Sequence, residues 1–290
     1  MFSVTSLGFL PFMALFVCLW YRVPQPSRWK LVLAANAVFC LSIDIGAFFA
    51  VALATAVVWQ AAQHAQPEQP SRRGWLALGL AAVLLPLLVL KYSGMLVPGL
   101  RDLDKPFGLA YYSLQLAGYL LDVWHGRTAP TPSYARLWCY AGFFLSLTQG
   151  PFNRYNTLMP QLEAAPKTFE TQRLVSGLQR SAWGYFKKFA IADRAAIVVS
   201  AAFADPASFD RSQLIFATVM YSFQLYADFS GYTDIVLGMG EILGLHLRDK
   251  VNAAPRDRKS VVQWKSVDLG RRPIIKNNTY MPLAGNPKGI

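Results

Sequence analysis

Two aspartates lie in a segment of the chain that is otherwise apolar, residues 221–234. Asp228 and Asp234 are separated there by the dipeptide Ser230-Gly231. Because a carboxylate in apolar surroundings is costly, such residues indicate either a functional pocket or a structural ion pair or helix cap. Glu241 follows Asp234 by seven residues, which predicts that both lie on one helix face. Both interpretations stay open at this point.

A pair of lysines lies in a second apolar segment, between Gly184 and Arg194. Lys187 and Lys188 are adjacent, and Asp193 follows about one helical turn later. A phosphate-bearing ligand requires cations of this kind as counter-charges. The alternative is that both lysines anchor a helix at a membrane interface. On either interpretation, Asp193, which directly precedes Arg194, is expected to neutralise part of the lysine charge.

A third polar group follows an apolar run that ends near Gln149. Gly150 and Pro151 are expected to break a helix there, and Arg154 comes three residues later. Arg154 could simply extend from an ordinary helix end towards water. Alternatively, the backbone is non-helical and lines a polar cavity, the setting in which irregular backbone is tolerated at membrane depth. In that case Gln149 and Arg154 line the cavity.

The elements that carry these residues are apolar and long. Apolar residues make up 54% of the chain and charged residues 15%, whereas soluble proteins carry about 25% charged residues. Met1–Trp20 and Gly74–Leu90 are free of charge, and 31–61 contains only Asp44. Runs of roughly 17–25 apolar residues can cross a bilayer as helices. The composition therefore predicts an all-α polytopic integral membrane protein.

The boundaries of the helices follow from the same apolar runs and from the polar residues between them. Asp44 and Gly46 predict a tight turn between two spans. The first run should be retained rather than cleaved, because no basic residue precedes it. We predict a transmembrane domain over 1–247 and a basic tail over 248–290. Helices are expected near 4–21, 30–43, 46–62, 74–91, 107–124, 135–149, 177–202, 212–227 and 231–245.

The basic residues indicate orientation and exclude some partners. The net charge is +12, and Arg248–Ile290 alone carries ten Lys or Arg against three Asp. In a membrane protein such a tail is expected to face anionic lipid or an acidic substrate rather than nucleic acid. The loops at 22–30, 63–73 and 125–136 are basic and should be cytoplasmic, which places the N-terminus outside. Three unpaired cysteines support neither a disulfide framework nor a metal site.

These segments together resemble the membrane-bound O-acyltransferase family, in the bacterial branch that serves alginate O-acetylation and teichoic-acid D-alanylation. The resemblance rests on the order and spacing of several short motifs, which cover about two thirds of the chain. The motifs are Lys91-Tyr-Ser, Pro106–Gln115, Tyr119–Trp124, Gln149-Gly-Pro, Gly184–Arg194, Asp228-Phe-Ser-Gly231 and Tyr280–Gly289.

The resemblance implies a ring of tilted and broken transmembrane helices around an acyl tunnel in the bacterial inner membrane. It implies O-acetyl transfer to an exported polysaccharide, with acetyl-CoA or an acyl carrier as donor and no bound cofactor. The implied partners are membrane lipids, the polysaccharide and an extracytoplasmic acetyl-transferring protein. The alternative is a transporter or a lipid-carrier flippase that uses the same intramembrane carboxylates.

The resemblance also implies roles for the polar residues described above. Gln149 and Arg154 would line the tunnel, and Lys187 and Lys188 would lie near the donor phosphates. Asp228 and Asp234 would pair or position groups at the tunnel wall.

The chain departs from the family where the family has a histidine in a Trp-Arg-Arg-Trp-His stretch. An imidazole is suited to act as the general base that activates the acceptor hydroxyl. This chain has Val261-Val-Gln-Trp-Lys-Ser-Val-Asp-Leu-Gly270 there, with Ser266 or Asp268 at the histidine position. Asp268 is a weak candidate base. His64, His125 and His246 match no family position and are expected to have surface or interfacial roles.

A second family histidine would fall beyond Ile290. Two explanations are open: a truncated gene product with a shifted reading frame over 256–279, or a divergent member whose missing helices come from elsewhere. The first is favoured, because a sound motif returns at Tyr280. We therefore expect the 290-residue chain to be catalytically inactive by itself.

Overall fold

The structure is a computed structural model that describes residues 4–6, 8–67, 69–96, 108–166 and 168–247, without the side chains of 91–96. Within these ranges the chain is all-helical and contains no strand, which confirms the all-α part of the predicted fold class. The predicted tail at 248–290, with Ser266, Asp268 and the motif at Tyr280–Gly289, lies outside the described residues. The described helices belong to one compact unit.

Ten α-helices follow one another along the described chain. Their bounds are α1 Phe9–Arg22, α2 Arg28–Ile43, α3 Ile45–His64, α4 Arg72–Leu96, α5 Leu109–Trp124, α6 Tyr134–Ala141, α7 Tyr155–Ala164, α8 Thr171–Phe186, α9 Asp193–Ala204 and α10 Arg211–Ile242. A π-helical segment, Lys187–Ala192, joins α8 to α9 without a break. Short 3₁₀ turns occur at Gln25–Ser27 and Pro206–Ser208.

The predicted turn at Asp44 is confirmed, and its chemistry is local. Asp44 has extended backbone (φ −162°), and its carboxylate accepts hydrogen bonds from the N–H groups of Gly46 and Ala47, both at 2.9 Å. A capping carboxylate satisfies N–H groups that have no partner within the helix. The turn therefore ends α2 and starts α3 within two residues.

Two helices in the described residues are long and apolar enough to cross a membrane by length and composition. They are Ile45–His64, with mean hydropathy 1.9, and Arg72–Leu90, with mean hydropathy 2.0. Helix α1 is apolar but shorter, at 14 residues. The loop between the two long helices lies between His64 and Arg72, within the predicted loop at 63–73.

The predicted helices differ from the structure mainly in three places. The helix predicted over 135–149 ends at Ala141, and irregular backbone follows to Arg154. Helix α7 was not predicted, because its sequence is too polar to stand out in an apolar chain. The helices predicted over 212–227 and 231–245 form the single helix α10, which runs through Ser230-Gly231 without interruption.

The irregular segment 142–154 is packed into the core rather than exposed. Residues 142–148 are all buried, and Phe144 contacts the rings of Phe9, Phe16 and Phe39 with centroids 5.1–6.4 Å apart. Asn36 of α2 holds the segment, because its amide donates to Cys139 O and accepts from Phe144 N, both at 3.0 Å. Buried irregular backbone needs such partners, since its polar groups cannot reach water.

Helices α8 and α10 lie antiparallel with their backbones in contact at two pairs of glycines. A Cβ built on Gly177 would lie 2.5 Å from Gly238 O, and one on Gly184 would lie 2.5 Å from Gly231 O. Each helix carries its two glycines seven residues apart, so both glycines face the same way. The close approach brings polar side chains of the two helices within reach of each other.

Candidate functional site

Asp234 is held by two cations from the neighbouring helix. Its carboxylate accepts from Lys187 Nζ at 2.6 Å and from Arg180 Nε at 3.2 Å, and the residue is only 4% exposed. Lys187 also donates to the hydroxyl of Ser230 at 2.8 Å. Glu241, one heptad later, accepts a hydrogen bond from Ser176 of α8 at 2.6 Å. The predicted common face of Asp234 and Glu241 is therefore confirmed, and it faces α8.

Asp228 forms the second ion pair with a lysine of the π-helical segment. Lys188 Nζ donates to Asp228 Oδ1 and also lies 3.1 Å from Asp193 Oδ1. Asp193 therefore neutralises Lys188, as predicted, whereas Lys187 pairs with Asp234 instead. Consecutive helical residues point about 100° apart. Lys187 and Lys188 can therefore reach two carboxylates that are six residues apart on α10.

A cavity of about 180 Å³ lies beside the second of these ion pairs. Its lining includes the side chains of Gln149, Lys188 and Asp228, which come from three different predicted motifs. The rest of the lining is Thr5, Gly108, Thr148 and Tyr232. The structure thus brings three of the sequence-predicted residues together in one polar space, which we call the central cavity.

Two residues of the central cavity were not singled out from the sequence. The hydroxyl of Thr148 donates to the hydroxyl of Tyr232, which in turn donates to Leu145 O at 3.4 Å. Tyr232 lies between Asp228 and Asp234, so its place in that motif was an available signal. Thr148 carried no such signal, because the helix predicted through 149 gave no reason for its hydroxyl to face a cavity.

The other predicted residues lie elsewhere. Lys187 and Asp234 are in the α8–α10 interface and do not line the central cavity. Arg154 precedes α7 and lines a different pocket, where its guanidinium lies 3.6 Å from Asp122 of α5. Gln149 and Arg154, which were expected to line one tunnel, therefore border two separate spaces.

None of the three histidines lines the central cavity. The ring of His64 stacks on Trp75 at 4.7 Å, and His125 Nδ1 lies 2.7 Å from Leu121 O. His246 interacts through its backbone, whose N–H donates to Gln161 Oε1 at 2.7 Å. Among the residues with described coordinates, no group of three or more His, Cys, Asp or Glu could hold a metal ion.

The arrangement can do two things chemically. The amide of Gln149 and the hydroxyls of Thr148 and Tyr232 can orient a polar group of a ligand, while Lys188 supplies a positive charge close by. Asp228 and Asp193 hold that ammonium in place and balance it. An anion that approaches Lys188 must therefore compete with two carboxylates.

Comparison with known proteins gives relatives that share most of this chain. It is 28% identical to the probable alginate O-acetylase AlgI of Azotobacter vinelandii, over 95% of this chain and 58% of that protein. The corresponding protein of Pseudomonas putida is 28% identical over 96% of this chain and 60% of its own length. A peptidoglycan O-acetyltransferase of Helicobacter pylori is 26% identical over 77% of this chain and 49% of its own length.

The chain thus spans about three fifths of the alginate O-acetylases that it matches. A scan against protein-family models finds no match. The similarity to these relatives nevertheless confirms the resemblance that the motifs carry, and it is consistent with a protein of the membrane-bound O-acyltransferase type.

Proposed function

We propose that this chain serves in a multi-pass membrane O-acetyltransferase that acetylates hydroxyl groups of an exported polysaccharide. The observation that carries the proposal is the central cavity, in which Gln149, Lys188 and Asp228 meet from three separate motifs. The relatives support it, because they are named as a peptidoglycan O-acetyltransferase and as probable alginate O-acetylases. The acceptor class is taken from those names alone.

The apolar surface supports a membrane location. Leu53 of α3 and Ile215 of α10 are more than 60% exposed, and many other large apolar side chains on α3, α4, α9 and α10 are exposed as well. Such surfaces fit lipid or further helices rather than water. We propose that 1–247 is the transmembrane domain and that the cell membrane concerned is the bacterial inner membrane.

The basic loops support one orientation of this domain. Trp20 and Tyr21, at the end of α1, donate hydrogen bonds to Leu243 O and Ile242 O at the end of α10. Arg28, at the start of α2, donates to Ala165 O just after α7. These ends therefore lie together, and the basic residues of the connecting loops support a cytoplasmic location for that end by the positive-inside rule.

In this proposal the central cavity positions the acyl group. Lys188 lies at the cavity and would contact the donor, with Asp228 holding its ammonium in place. The ion pair between Lys187 and Asp234 would stabilise the packing of α8 against α10. Arg154, at a separate pocket, would not contact the acyl group directly. The donor is acetyl-CoA or an acylated carrier, and an extracytoplasmic acetyl-transferring protein would receive the group.

No histidine lines the central cavity in the part of the chain that the structure describes. Acyl transfer to a hydroxyl needs a base within hydrogen-bond reach of the acceptor oxygen. The rings of His64 and His125 contact Trp75 and Leu121 O, and His246 does not line the cavity either. We therefore propose that the 290-residue chain is catalytically inactive by itself.

A hybrid protein tests the proposed function. Residues 1–247 of this chain are joined to the matching C-terminal part of the Azotobacter vinelandii relative and expressed in a strain that lacks its own alginate O-acetylase. With labelled acetyl-CoA, we expect label on the exported polysaccharide from the hybrid and none from the 290-residue chain. A hybrid that accumulates in the membrane without transferring label would contradict the proposal. Flux of a substrate that does not depend on acetyl-CoA would instead support the transporter or flippase.

A further inference from the structure

We propose that a second pocket, at the C-terminal end of α5, binds a phosphate group. This pocket has a volume of about 420 Å³ and shares no lining residue with the central cavity. Its polar lining consists of Gln115, Asp122, His125, Arg127, Asn153 and Arg154, with the hydroxyl-bearing Tyr140 beside them. The site goes beyond the proposed acetyl transfer and does not depend on it.

Two arginines converge on one carboxylate at this pocket. Arg127 Nη1 and Arg154 Nη1 each lie 3.6 Å from the same oxygen of Asp122, Oδ1. This distance is too long for a hydrogen bond, so the contacts are ion pairs only. The Asp122 side chain is 12% exposed, whereas those of Arg127 and Arg154 are 56% and 48% exposed. Two accessible guanidinium groups against one shielded carboxylate leave a net positive charge at the mouth of the pocket.

The guanidinium groups retain their donors for a ligand. In the described part of the chain, neither the Arg127 nor the Arg154 side chain donates a hydrogen bond to a protein acceptor within normal distance. A guanidinium presents five N–H donors in a planar fork, which matches the oxygens of a phosphate. The pair therefore has the geometry and the free capacity to hold one phosphate group between them.

The backbone around the pocket also favours the binding of an anion. Helix α7 begins directly after Arg154, and no side chain caps its first turn, so the positive end of its dipole lies next to a residue that lines the pocket. The carbonyls at the end of α5 would repel an anion, but loop N–H groups occupy them. Gly126 N donates to Val123 O and Arg127 N donates to Asp122 O, at 2.9 and 2.8 Å. This closure requires the left-handed φ of 69° at Gly126.

The rest of the pocket lining is apolar, and the pocket has room for more than a phosphate group. Leu114, Leu121 and Phe152 form one side, and Gly118 lies between the leucines on α5. A Cβ added at Gly118 would meet no atom within 4 Å. The pocket therefore suits a phosphate that carries an organic substituent. Two sources have this chemistry, namely the headgroup of an anionic phospholipid and a free phosphate ester.

Direct binding to the purified 290-residue chain in a nonionic detergent tests the proposal. The probes are sodium pyrophosphate and short-chain phosphatidylglycerol, with short-chain phosphatidylcholine as a zwitterionic control, all measured by calorimetry. The test variants are Gly118→Trp, which fills the pocket, and the double variant Arg127→Ala/Arg154→Ala. The matched controls are Gly118→Ala, which adds one methyl group in open space, and Arg73→Ala, which removes an exposed arginine elsewhere.

We expect the unaltered chain and both controls to bind at least one anionic probe equally well. Each test variant should weaken that binding by about tenfold or more, because charge-assisted hydrogen bonds or the space for the ligand are lost. Tighter binding of phosphatidylglycerol than of pyrophosphate would identify a lipid headgroup as the source, and the reverse order a free phosphate. Absence of binding to both probes, or binding that Gly118→Trp and the arginine variant leave unchanged in a chain of normal helix content, would overturn the proposal.

These outcomes are independent of acetyl transfer. If the hybrid transfers acetyl groups while the pocket variants bind normally, only the phosphate site fails. If pocket-dependent binding is found and the hybrid is inactive, only the proposed function fails.

Discussion

Gly184 of α8 and Gly231 of α10 lie so close that a Cβ on Gly184 would come within 2.5 Å of Gly231 O. This contact sets the distance between the two helices at the level of the lysine pair. On one side of it Lys187 reaches Asp234, and on the other Lys188 reaches Asp228. The position of Lys188 at the central cavity therefore depends on the close contact of two residues that have no side chain.

We expect Gly231→Ala to destabilise the protein by about 1–3 kcal/mol, because the new methyl group meets backbone that cannot rotate away. Its Cβ would lie 2.8 Å from Gly184 O and 3.2 Å from Lys188 N. Thermal unfolding in detergent, followed by helical circular dichroism, measures the change. Gly118→Ala is the matched control and should be neutral or stabilising by about 0.5–1 kcal/mol, because it replaces glycine in a helix facing open space. Equal melting temperatures for the two variants would contradict the close contact.

The two aspartates should differ in what they stabilise. Asp234→Asn leaves Lys187 and Arg180 facing a neutral group in a buried interface, so we expect a loss of about 3–5 kcal/mol or failure to accumulate. Asp228 is more exposed, with 27% of its side chain accessible, and Asp228→Asn should still insert. Membrane accumulation and unfolding temperature distinguish the two. If Asp228→Asn abolishes accumulation, Asp228 is a structural residue and its assignment to the cavity is wrong.

Replacing Asn36 by Leu should loosen the irregular segment 142–154. The change leaves Cys139 O and Phe144 N without their side-chain partner inside the core, which costs about 1–3 kcal/mol for each group. Limited proteolysis and thermal unfolding of the variant measure the effect. Asn156→Leu, at an exposed position of α7, is the control. Similar behaviour of the two variants would mean that Asn36 does not hold the segment.

The membrane topology can be checked with reporter fusions. Fusions after Arg28, Gln69 and Thr128 should all report a cytoplasmic location, because these loops carry the basic residues. A fusion after Asp44, which lies at the turn between α2 and α3, should report the outer side. Extracytoplasmic signals from two of the three basic loops would reverse the proposed orientation.

Features with local causes were predictable from the sequence. The turn at Asp44 follows from one capping carboxylate and one glycine, both of which act on their immediate neighbours. The pairing of Lys188 with Asp193 joins residues only five positions apart, across the π-helical segment Lys187–Ala192. In each case the residues that decide the structure are within about five positions of each other, so their arrangement does not depend on the rest of the fold.

Features that depend on distant contacts were missed. Separate helices were predicted over 212–227 and 231–245, but the backbone of Gly231 packs on Gly184, 47 positions earlier in the chain, and α10 is continuous there. The segment after Ala141 was read as helix, but Asn36 supplies the partners that stabilise irregular backbone there. Gln149 and Arg154 are five residues apart, yet this irregular backbone directs them into separate spaces. Such contacts are not visible in local periodicity.

The central claim is that the cavity beside Lys188 serves acetyl transfer, and the most direct measurement is the amount of labelled acetate that the hybrid protein places on polysaccharide. We predict that Lys188→Met lowers this amount by about tenfold or more, since a positioned charge at the reacting group is lost. Lys30→Met, at an exposed lysine away from the cavity, should leave it unchanged. The 290-residue chain alone should place no label. Equal labelling by the Lys188→Met and Lys30→Met hybrids would contradict the account, and labelling by the chain alone at enzymatic rates would direct attention to Asp268 as the base.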